Sequence, residues 1–167
     1  PNVLRLWLGE MRDDLATDRV DLLETNIDDM NPELYGPLID RLLAAGALDA
    51  YLTPVIMKKG RPGIVLGVLC APGRSAALED IVFAETTTLG IRASTLTRRK
   101  LERGDVVVGT PYGPVRVKVG RRGGQVLTVA PEFEDCRQAA AVQQVPLKVV
   151  YEAARRAFHE QHGGDPG

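Results

Sequence analysis

Glu24-Thr25-Asn26-Ile27-Asp28-Asp29-Met30-Asn31-Pro32-Glu33 is the stretch that sets the fold, because a strand pattern runs directly into a helix start within it. Oxygen-bearing side chains occupy every second position before the helix, and a strand places alternate residues on one face. Asn31 is a typical N-cap, and Pro32 suits the first helical position. The sequence therefore predicts a strand whose polar face ends at a strand-to-helix junction.

The oxygen-bearing face of this strand is a candidate site for a hard cation. It holds Glu24, Asn26 and Asp28, with Asp29 next in the chain. Carboxylate oxygens are the ligands that Mg²⁺ and Mn²⁺ prefer. Glu24, Asp28 and Asp29 are therefore the predicted metal ligands. A simpler alternative is that Asp29 and Asn31 only cap the helix and that Glu24 only solvates the face of the sheet.

The composition argues against several classes of protein. The 167 residues hold 21 basic and 22 acidic side chains, and this net charge of -1 argues against a broad nucleic-acid surface. No apolar stretch has the length needed to span a membrane. Cys70 and Cys136 stand far apart, which fits a reducing cytoplasm better than a disulfide framework. The opening residues resemble the closing strand of something upstream, so we expect a piece of a longer polypeptide.

Residues 21–98 are predicted to form an α+β subdomain of the ferredoxin-like class. After the acidic strand come a helix that ends at Gly46, a strand over 47–57, a hairpin over 58–63, an apolar strand over 64–70, a helix near 76–82 and a strand over 91–96. The helices follow from apolar residues at helical spacing, and the hairpin follows from its glycines and proline. The resulting order β-α-β-β-α-β is the ferredoxin-like pattern.

A second, smaller subdomain is predicted over residues 99–160. Three short strands, at 105–108, 115–119 and 125–129, are separated by Pro/Gly- and Gly/Arg-rich turns and form a meander. Two helices follow, at 133–141 and 146–158. We assign residues 1–20 to the end of an upstream domain or linker, and residues 161–167 to a disordered tail.

The two middle strands of the first subdomain are apolar on both faces. Helices on a single side of the sheet would leave the other apolar face in water. Either the C-terminal subdomain or a second copy of the chain must cover that face, and we expect both to contribute. The pattern therefore favours a homo-oligomer.

The predicted topology brings three polar segments to one edge of the sheet. These are the end of the first strand, the hairpin between the second and third strands, and the start of the fourth strand. Lysine supplies point charges, arginine supplies a planar fork for phosphate oxygens, and threonine supplies hydroxyl groups. The edge therefore predicts a site for a polyphosphate with a divalent cation. The candidate nucleotide-binding residues are Asn26, Lys58, Lys59, Arg61, Thr86, Thr87, Thr88 and Arg92.

Each of these segments also has a plainer interpretation. A basic hairpin is often a solvated edge that discourages aggregation, and a run of threonines can be a turn that ends a helix. No glycine-rich loop ending in Lys-Ser/Thr is present, so a nucleotide site would not be a Walker-type loop. No catalytic residue can be assigned from the sequence.

The chain resembles the C-terminal domain of the LarC nickel-insertion family. The residues that carry the resemblance are 24–33, Met-Lys-Lys-Gly-Arg-Pro-Gly at 57–63, Glu-Thr-Thr-Thr-Leu-Gly-Ile-Arg at 85–92, Pro-Glu-Phe-Glu-Asp-Cys at 131–136 and Val-Tyr-Glu-Ala-Ala at 150–154. The resemblance implies a nickel chelatase that uses CTP, with Mg²⁺ or Mn²⁺, to insert Ni²⁺ into pyridinium-3,5-bisthiocarboxylic acid mononucleotide. The product would be the nickel-pincer nucleotide cofactor of lactate racemase.

The resemblance also implies a division of labour and an assembly. This part would bind CTP in trimers or hexamers, and the metal-handling N-terminal domain is absent from the chain. On these positions, Lys58, Lys59 and Arg61 would neutralise the triphosphate, while Asp28 and Asp29 would place the divalent ion.

Two other functions remain open from the sequence. A non-catalytic, ferredoxin-like nucleotide-binding regulatory module would share every local feature described above. An RNA-binding ferredoxin-like domain is disfavoured, because such sheets present stacking aromatic residues and aromatics make up only 5% of this chain.

Overall fold

A computed structural model describes residues 15–162 of the chain. The described residues divide into two compact units, with the boundary between Arg99 and Lys100. The first unit contains β1 (Ala16–Ile27), α1 (Tyr35–Ala44), β2 (Asp49–Ile56), β3 (Pro62–Cys70), α2 (Ser75–Glu85) and β4 (Arg92–Lys100). The second contains β5 (Glu102–Thr110), β6 (Gly113–Arg122), β7 (Gln125–Pro131), α3 (Phe133–Gln143) and α4 (Leu147–His162).

The first unit has the predicted α+β, ferredoxin-like topology. Its four strands lie in the order β2-β3-β1-β4. β3 pairs antiparallel with both β1 and β2, so β1 and β2 run in the same direction. The predicted element order is confirmed, because alternation and turn residues specified each strand locally.

Both helices of the first unit pack on one face of its sheet. The core joins the strands to the helices through Leu23, Ile27, Leu38, Leu42, Leu66, Val68, Leu78 and Val82, all at most 2% exposed. From Leu23 to Ile27, every second residue of β1 faces this core, which leaves Glu24 and Asn26 on the opposite face. The oxygen-bearing stripe therefore lies on the side of the sheet away from the helices.

Local chemistry sets the ends of α1 as the sequence predicts. The Asn31 side chain accepts a hydrogen bond from the Glu33 amide at 3.1 Å, at the start of a short 3₁₀ turn over Pro32–Leu34 that leads into the helix. After the helix, Gly46 adopts a φ of 98°, a conformation that glycine reaches without strain. These residues fix where the chain leaves β1 and where it enters β2.

Most strands extend beyond their predicted bounds, and the extension is longest at the start of β1 and the end of β4. β1 begins at Ala16 rather than near residue 21, and β4 continues to Lys100 rather than ending at residue 96. The Arg98 guanidinium donates hydrogen bonds at 3.1 and 2.9 Å to the two carboxylate oxygens of Asp18, which ties the extended ends together. The predicted upstream segment covers residues 1–20, and the predicted tail covers residues 161–167. Most of both ranges, namely 1–14 and 163–167, lies outside the described residues.

The second unit is an antiparallel sheet in the order β5-β6-β7 with α3 and α4 packed against it, as predicted. Its 131–136 motif joins α3 to β6. Asp135 accepts hydrogen bonds from the Arg116 backbone amide at 3.0 Å and from its guanidinium at 2.8 and 2.6 Å. These bonds lower the pKa of the Asp135 carboxyl to about 2. The motif is therefore explained by its structural role.

No helix within residues 15–162 is both long enough and apolar enough to cross a membrane.

Candidate functional site

The polar site lies at one edge of the first sheet, where β1, the β2–β3 hairpin and the loop before β4 meet. The β1–β3 register pairs Ile27 with Ile64, and the β2–β3 register pairs Ile56 with Pro62. These pairs place the ends of β1 and β2 beside the start of β3. The segments that the sequence predicts to converge are therefore adjacent.

A cavity of about 720 Å³ opens at this edge, and we call it the polar pocket. Seven of the sequence-predicted site residues line it: Asn26, Asp28, Asp29, Lys58, Thr87, Thr88 and Arg92. Its volume lies in the range of small-molecule sites. Carboxylates, cations and hydroxyl groups that are up to 64 positions apart in the chain, from Asp28 to Arg92, thus share one cavity.

The two carboxylates of the polar pocket are held by residues from different segments. Arg61, on the hairpin, donates a hydrogen bond to Asp28 at 3.3 Å. Thr87, in the loop before β4, donates one to Asp29. The first contact is long for a charge-assisted hydrogen bond, whose usual N–O separation is about 2.7–2.9 Å. We therefore expect Asp28 to separate from Arg61 more readily than Asp29 separates from Thr87.

The two cations of the polar pocket are not paired with a carboxylate of residues 15–162. Arg92 donates a hydrogen bond at 2.7 Å to the amide oxygen of Asn26, a neutral group that orients the guanidinium without neutralising it. Lys58 forms no ion pair with any residue between 15 and 162. An exposed ammonium and an oriented guanidinium are what an incoming phosphate group requires.

Thr25 anchors the loop before β4 and was not among the predicted site residues. It is only 2% exposed, and its hydroxyl donates a hydrogen bond to the Gly90 carbonyl at 2.8 Å. The same hydroxyl also contacts the Thr88 hydroxyl. In the sequence, Thr25 occupies a core-facing position of β1, which indicates only that it packs in the core. The sequence carries one signal, namely a polar residue between Leu23 and Ile27 on an otherwise apolar face.

Four predicted residues do not line the polar pocket. Lys59 belongs to the hairpin turn, where its φ is 63°, and Arg61 reaches the site only through Asp28. The Thr86 hydroxyl donates to the Val82 carbonyl at 2.8 Å and so closes the end of α2. Glu24 lies on β1, four residues before Asp28, which follows the last residue of that strand.

The three-carboxylate metal site is not formed among the described residues. A strand rises about 3.3 Å per residue, so Glu24 and Asp28 are roughly 13 Å apart and cannot share one ion. No three His, Cys, Asp or Glu side chains within residues 15–162 are grouped as a metal site. Asp28 and Asp29 alone remain suitable. Mg²⁺ is commonly bound by one or two carboxylates together with substrate phosphates, so this pair fits a metal that arrives with a nucleotide.

A second cavity, of about 590 Å³, lies beside the polar pocket. We call it the apolar pocket. It shares Asp28, Val55 and Ile56 with the polar pocket. Tyr35 also lines it, and burial raises the pKa of the Tyr35 phenol, with a further rise from the negative charge of Asp29. The phenol therefore remains protonated at neutral pH.

The chain is similar to proteins associated with nickel insertion. The sequence profile of a family described as "Nickel insertion protein" matches residues 1–151. A relative from Myxococcus xanthus (strain DK1622), named for nickel insertion, is 51% identical over 95% of this chain and 40% of its own length. A relative from Synechococcus sp. (strain JA-3-3Ab), named likewise, is 44% identical over 99% of this chain and 42% of its own length.

A solved structure supports the same relationship. It is that of LarC2, described as the C-terminal domain of a cyclometallase involved in the synthesis of the NPN cofactor of lactate racemase, in its apo form. It aligns with a TM-score of 0.82 and 38% identity, over 86% of this chain and 99% of that chain. The chain spans about two fifths of the length of the curated relatives it matches.

Proposed function

Because this chain belongs to the nickel insertion protein family, we propose that it is the nucleotide-binding part of an enzyme that inserts nickel into an organic cofactor precursor. The reaction would be CTP-dependent insertion of Ni²⁺ into pyridinium-3,5-bisthiocarboxylic acid mononucleotide, giving the nickel-pincer nucleotide cofactor of lactate racemase. The observation that carries the proposal is the polar pocket, where two cations, two carboxylates and a threonine loop meet.

The triphosphate of CTP would bind in the polar pocket. Lys58 and Arg92 would contact its oxygens, and the Thr87 and Thr88 hydroxyl groups would donate further hydrogen bonds. Asn26 would keep the Arg92 guanidinium in place during this contact. Arg61 and Lys59 would contribute longer-range attraction, and Thr86 would support the loop from the end of α2.

A divalent ion would bind between the carboxylates and the phosphates. Asp28 and Asp29 would supply two of its oxygen ligands, and the nucleotide would supply others. Mg²⁺ or Mn²⁺ would there neutralise phosphate charge that the two cations leave uncompensated. Glu24, about 13 Å along the strand from Asp28, would act only through its charge.

Nickel would be handled largely outside the described residues. Nickel favours nitrogen and sulfur ligands, and no group of three His, Cys, Asp or Glu residues that could hold a metal lies within residues 15–162. We propose that the nickel-bearing step requires this part together with an N-terminal domain. Both cysteines of the chain are buried free thiols, which suits the cytoplasm in which we place the enzyme.

The working form is proposed to be a homo-oligomer, a trimer or a hexamer. The sheet face opposite α1 and α2 carries Tyr51 at 37% exposure and Leu96 at 41% exposure. A second copy of the chain would remove this apolar area from water. Light scattering coupled to size-exclusion chromatography measures the assembly, and a monomeric mass would refute it.

The test of nucleotide binding is calorimetric titration of CTP with Mn²⁺ into the wild-type chain and into Lys58→Ala. We expect the variant to lose about tenfold or more in affinity, because it loses a charged contact to phosphate. Lys148→Ala is the matched control, since Lys148 is an exposed lysine on α4, and its affinity should equal that of the wild type. Equal affinities for all three proteins would refute the triphosphate site.

Product analysis separates the enzyme from a regulatory module. The chain joined to its N-terminal domain should consume CTP only when Ni²⁺ and the pyridinium precursor are both present. CTP that binds and stays intact under those conditions would favour the regulatory alternative.

A further inference from the structure

Both histidines of the chain lie at the end of α4, three residues apart. They are His159 and His162, and the sequence contains no other histidine. Side chains three positions apart on a helix lie on the same face, with about 5–6 Å between their β-carbons. Both side chains are exposed, so a solute can reach either ring. The pair is therefore accessible, and it takes no part in the site at the edge of the first sheet.

One buried phenylalanine contacts both imidazole rings. Phe158 is 2% exposed and belongs to the core of the second unit. The His162 ring stacks on the phenyl ring with 4.9 Å between the centroids and 11° between the planes, and the His159 ring meets it edge-on at 5.7 Å and 81°. Aromatic pairs prefer centroid separations of about 4.5–7 Å. The last turn of α4 is therefore anchored to the core, and both imidazoles lie against one fixed ring.

Two imidazoles at this spacing can bind one metal ion. Ligands at positions i and i+3 of a helix serve one metal centre in helical bundles, where they occur as Glu-x-x-His pairs. Imidazole suits Ni²⁺ and other late first-row divalent metals, whereas Mg²⁺ prefers oxygen ligands. Both cysteines of the chain are buried free thiols, which an incoming ion cannot easily reach. His159 and His162 are therefore the most suitable nickel ligands between residues 15 and 162.

We propose that His159 and His162 together form a site for Ni²⁺, the metal substrate of the proposed reaction. The site follows from the geometry of α4, and only the identity of its metal rests on the proposed function. Two protein ligands leave the other coordination positions to water or to an incoming ligand, so the ion is exchangeable. Such a site passes nickel on rather than storing it, and it needs fewer ligands than the group of three His, Cys, Asp or Glu residues that is absent from residues 15–162.

The charges on the same face of α4 modulate the affinity of this site. Arg155 lies four residues before His159, about one helical turn away, and Glu152 lies seven residues before it, about two turns away. The guanidinium repels a cation bound by the histidines, and the more distant carboxylate attracts it weakly. Arg155→His would remove the repulsion and add a third ligand on the same face. Position 155 is therefore where the site can be strengthened.

Imidazole NMR of the whole, untagged chain measures occupation of the site directly. Because the sequence holds two histidines, the ¹⁵N-labelled chain gives two imidazole spin systems. In a buffer of about pH 8, chosen because a metal binds neutral imidazole, we expect paramagnetic Ni²⁺ to broaden both systems together and to saturate at about one equivalent. Mg²⁺ at the same concentration should change neither. Broadening of one system alone, or of neither, would overturn the proposal.

Moving one histidine around the helix separates chelation from histidine content. His162→Gln combined with Gln161→His keeps two histidines, but side chains at i and i+2 do not face each other. In calorimetric titrations with Ni²⁺, this exchange variant and His159→Ala should each bind at least about tenfold more weakly than the wild type, whereas Arg155→His should bind about tenfold more tightly. Equal affinities of the wild type and the exchange variant, or an unchanged affinity in Arg155→His, would refute a shared ion on this face.

Failure of this proposal is distinguishable from failure of the nucleotide site. The substituted positions are all exposed, so the variants should retain the fold. The nickel titrations contain no nucleotide, and Lys58 belongs to the other unit. Equal CTP affinities of the wild type and Lys58→Ala would therefore remove the triphosphate site without altering the imidazole result. Normal CTP binding with no broadening of either imidazole by Ni²⁺ would leave the nucleotide site intact and refute the histidine site.

Discussion

Replacing Thr25 by valine removes the anchor of the loop before β4 at almost constant volume. The Thr25 hydroxyl donates to the Gly90 carbonyl at 2.8 Å and contacts the Thr88 hydroxyl. In the variant, the Thr88 hydroxyl, whose oxygen lies 3.1 Å from the Gly90 carbonyl oxygen, can donate to that carbonyl in place of Thr25. The substitution therefore detaches the loop from β1 without leaving a buried carbonyl unpaired.

The magnitude follows from two lost hydrogen bonds at a buried site. Each typically contributes about 0.5–1.5 kcal/mol, and the extra methyl group of valine returns a part of the loss, so we expect a destabilisation of the loop of about 1–2 kcal/mol. Amide hydrogen exchange within residues 86–92 should then be about 5- to 30-fold faster. CTP affinity should fall by at most the same factor, since only molecules with the loop anchored are competent to bind.

Hydrogen exchange measured by mass spectrometry, with CTP titration on the same samples, checks this prediction. Thr25→Ser keeps the hydroxyl and should retain slow exchange in the loop, whereas Thr97→Val, at an exposed position on β4, should behave like the wild type. If Thr25→Val and Thr25→Ser accelerate loop exchange equally, the hydroxyl is not the anchor, and the role given to Thr25 is refuted.

Two further substitutions test the packing of each unit. A β-carbon at Gly67 would lie 2.3–2.7 Å from atoms of the Tyr51 ring, so Gly67→Ala should displace that ring and lower the free energy of unfolding by about 1–2 kcal/mol in urea titrations, while Gly109→Ala, with open space around it, should change it little. Asp135→Asn should lower the free energy of unfolding by about 1 kcal/mol at pH 7. Because the folded-state pKa of Asp135 is depressed from 3.8 to about 2, its contribution is complete above pH 3.8 and is lost as the pH falls toward 2. Wild type and Asp135→Asn should therefore converge in stability at acid pH, and a constant difference would contradict the Arg116 pairing.

The fold was predictable because its signals are local. The alternation around Ile27, the Asn31 cap, the Gly46 stop and the hairpin at 58–63 each specify an element from a few neighbouring residues. Strand order then follows from the β-α-β-β-α-β pattern, and with it the adjacency of the polar segments. That adjacency is how most lining residues of the polar pocket could be foreseen before the structure.

What could not be predicted depends on distance and on partners remote in the chain. Alternation predicts that Glu24 and Asp28 face the same way, but it sets direction and not proximity: β1 ends at Ile27, and Glu24 lies outside the polar pocket that Asp28 lines. The role of Thr25 depends on residues 63 and 65 positions away, and its neighbours in sequence indicate only a core position. The apolar pocket is formed by prolines from three separate segments, each of which resembles ordinary turn or edge chemistry when taken alone.

The charge balance of the polar pocket predicts the order in which the proposed metal and nucleotide would bind. Lys58 and Arg92 are offset by Asp28 and Asp29, so a triphosphate without a metal would be repelled by the carboxylates about as strongly as it is attracted by the cations. A free divalent ion would meet carboxylates that already have partners in Arg61 and Thr87. A metal-nucleotide complex would meet neither obstacle, because its metal would replace the long Arg61 contact on Asp28 and the released guanidinium would add to the attraction for phosphate. Metal and nucleotide should therefore bind as one unit, with Arg61 changing partner from carboxylate to phosphate.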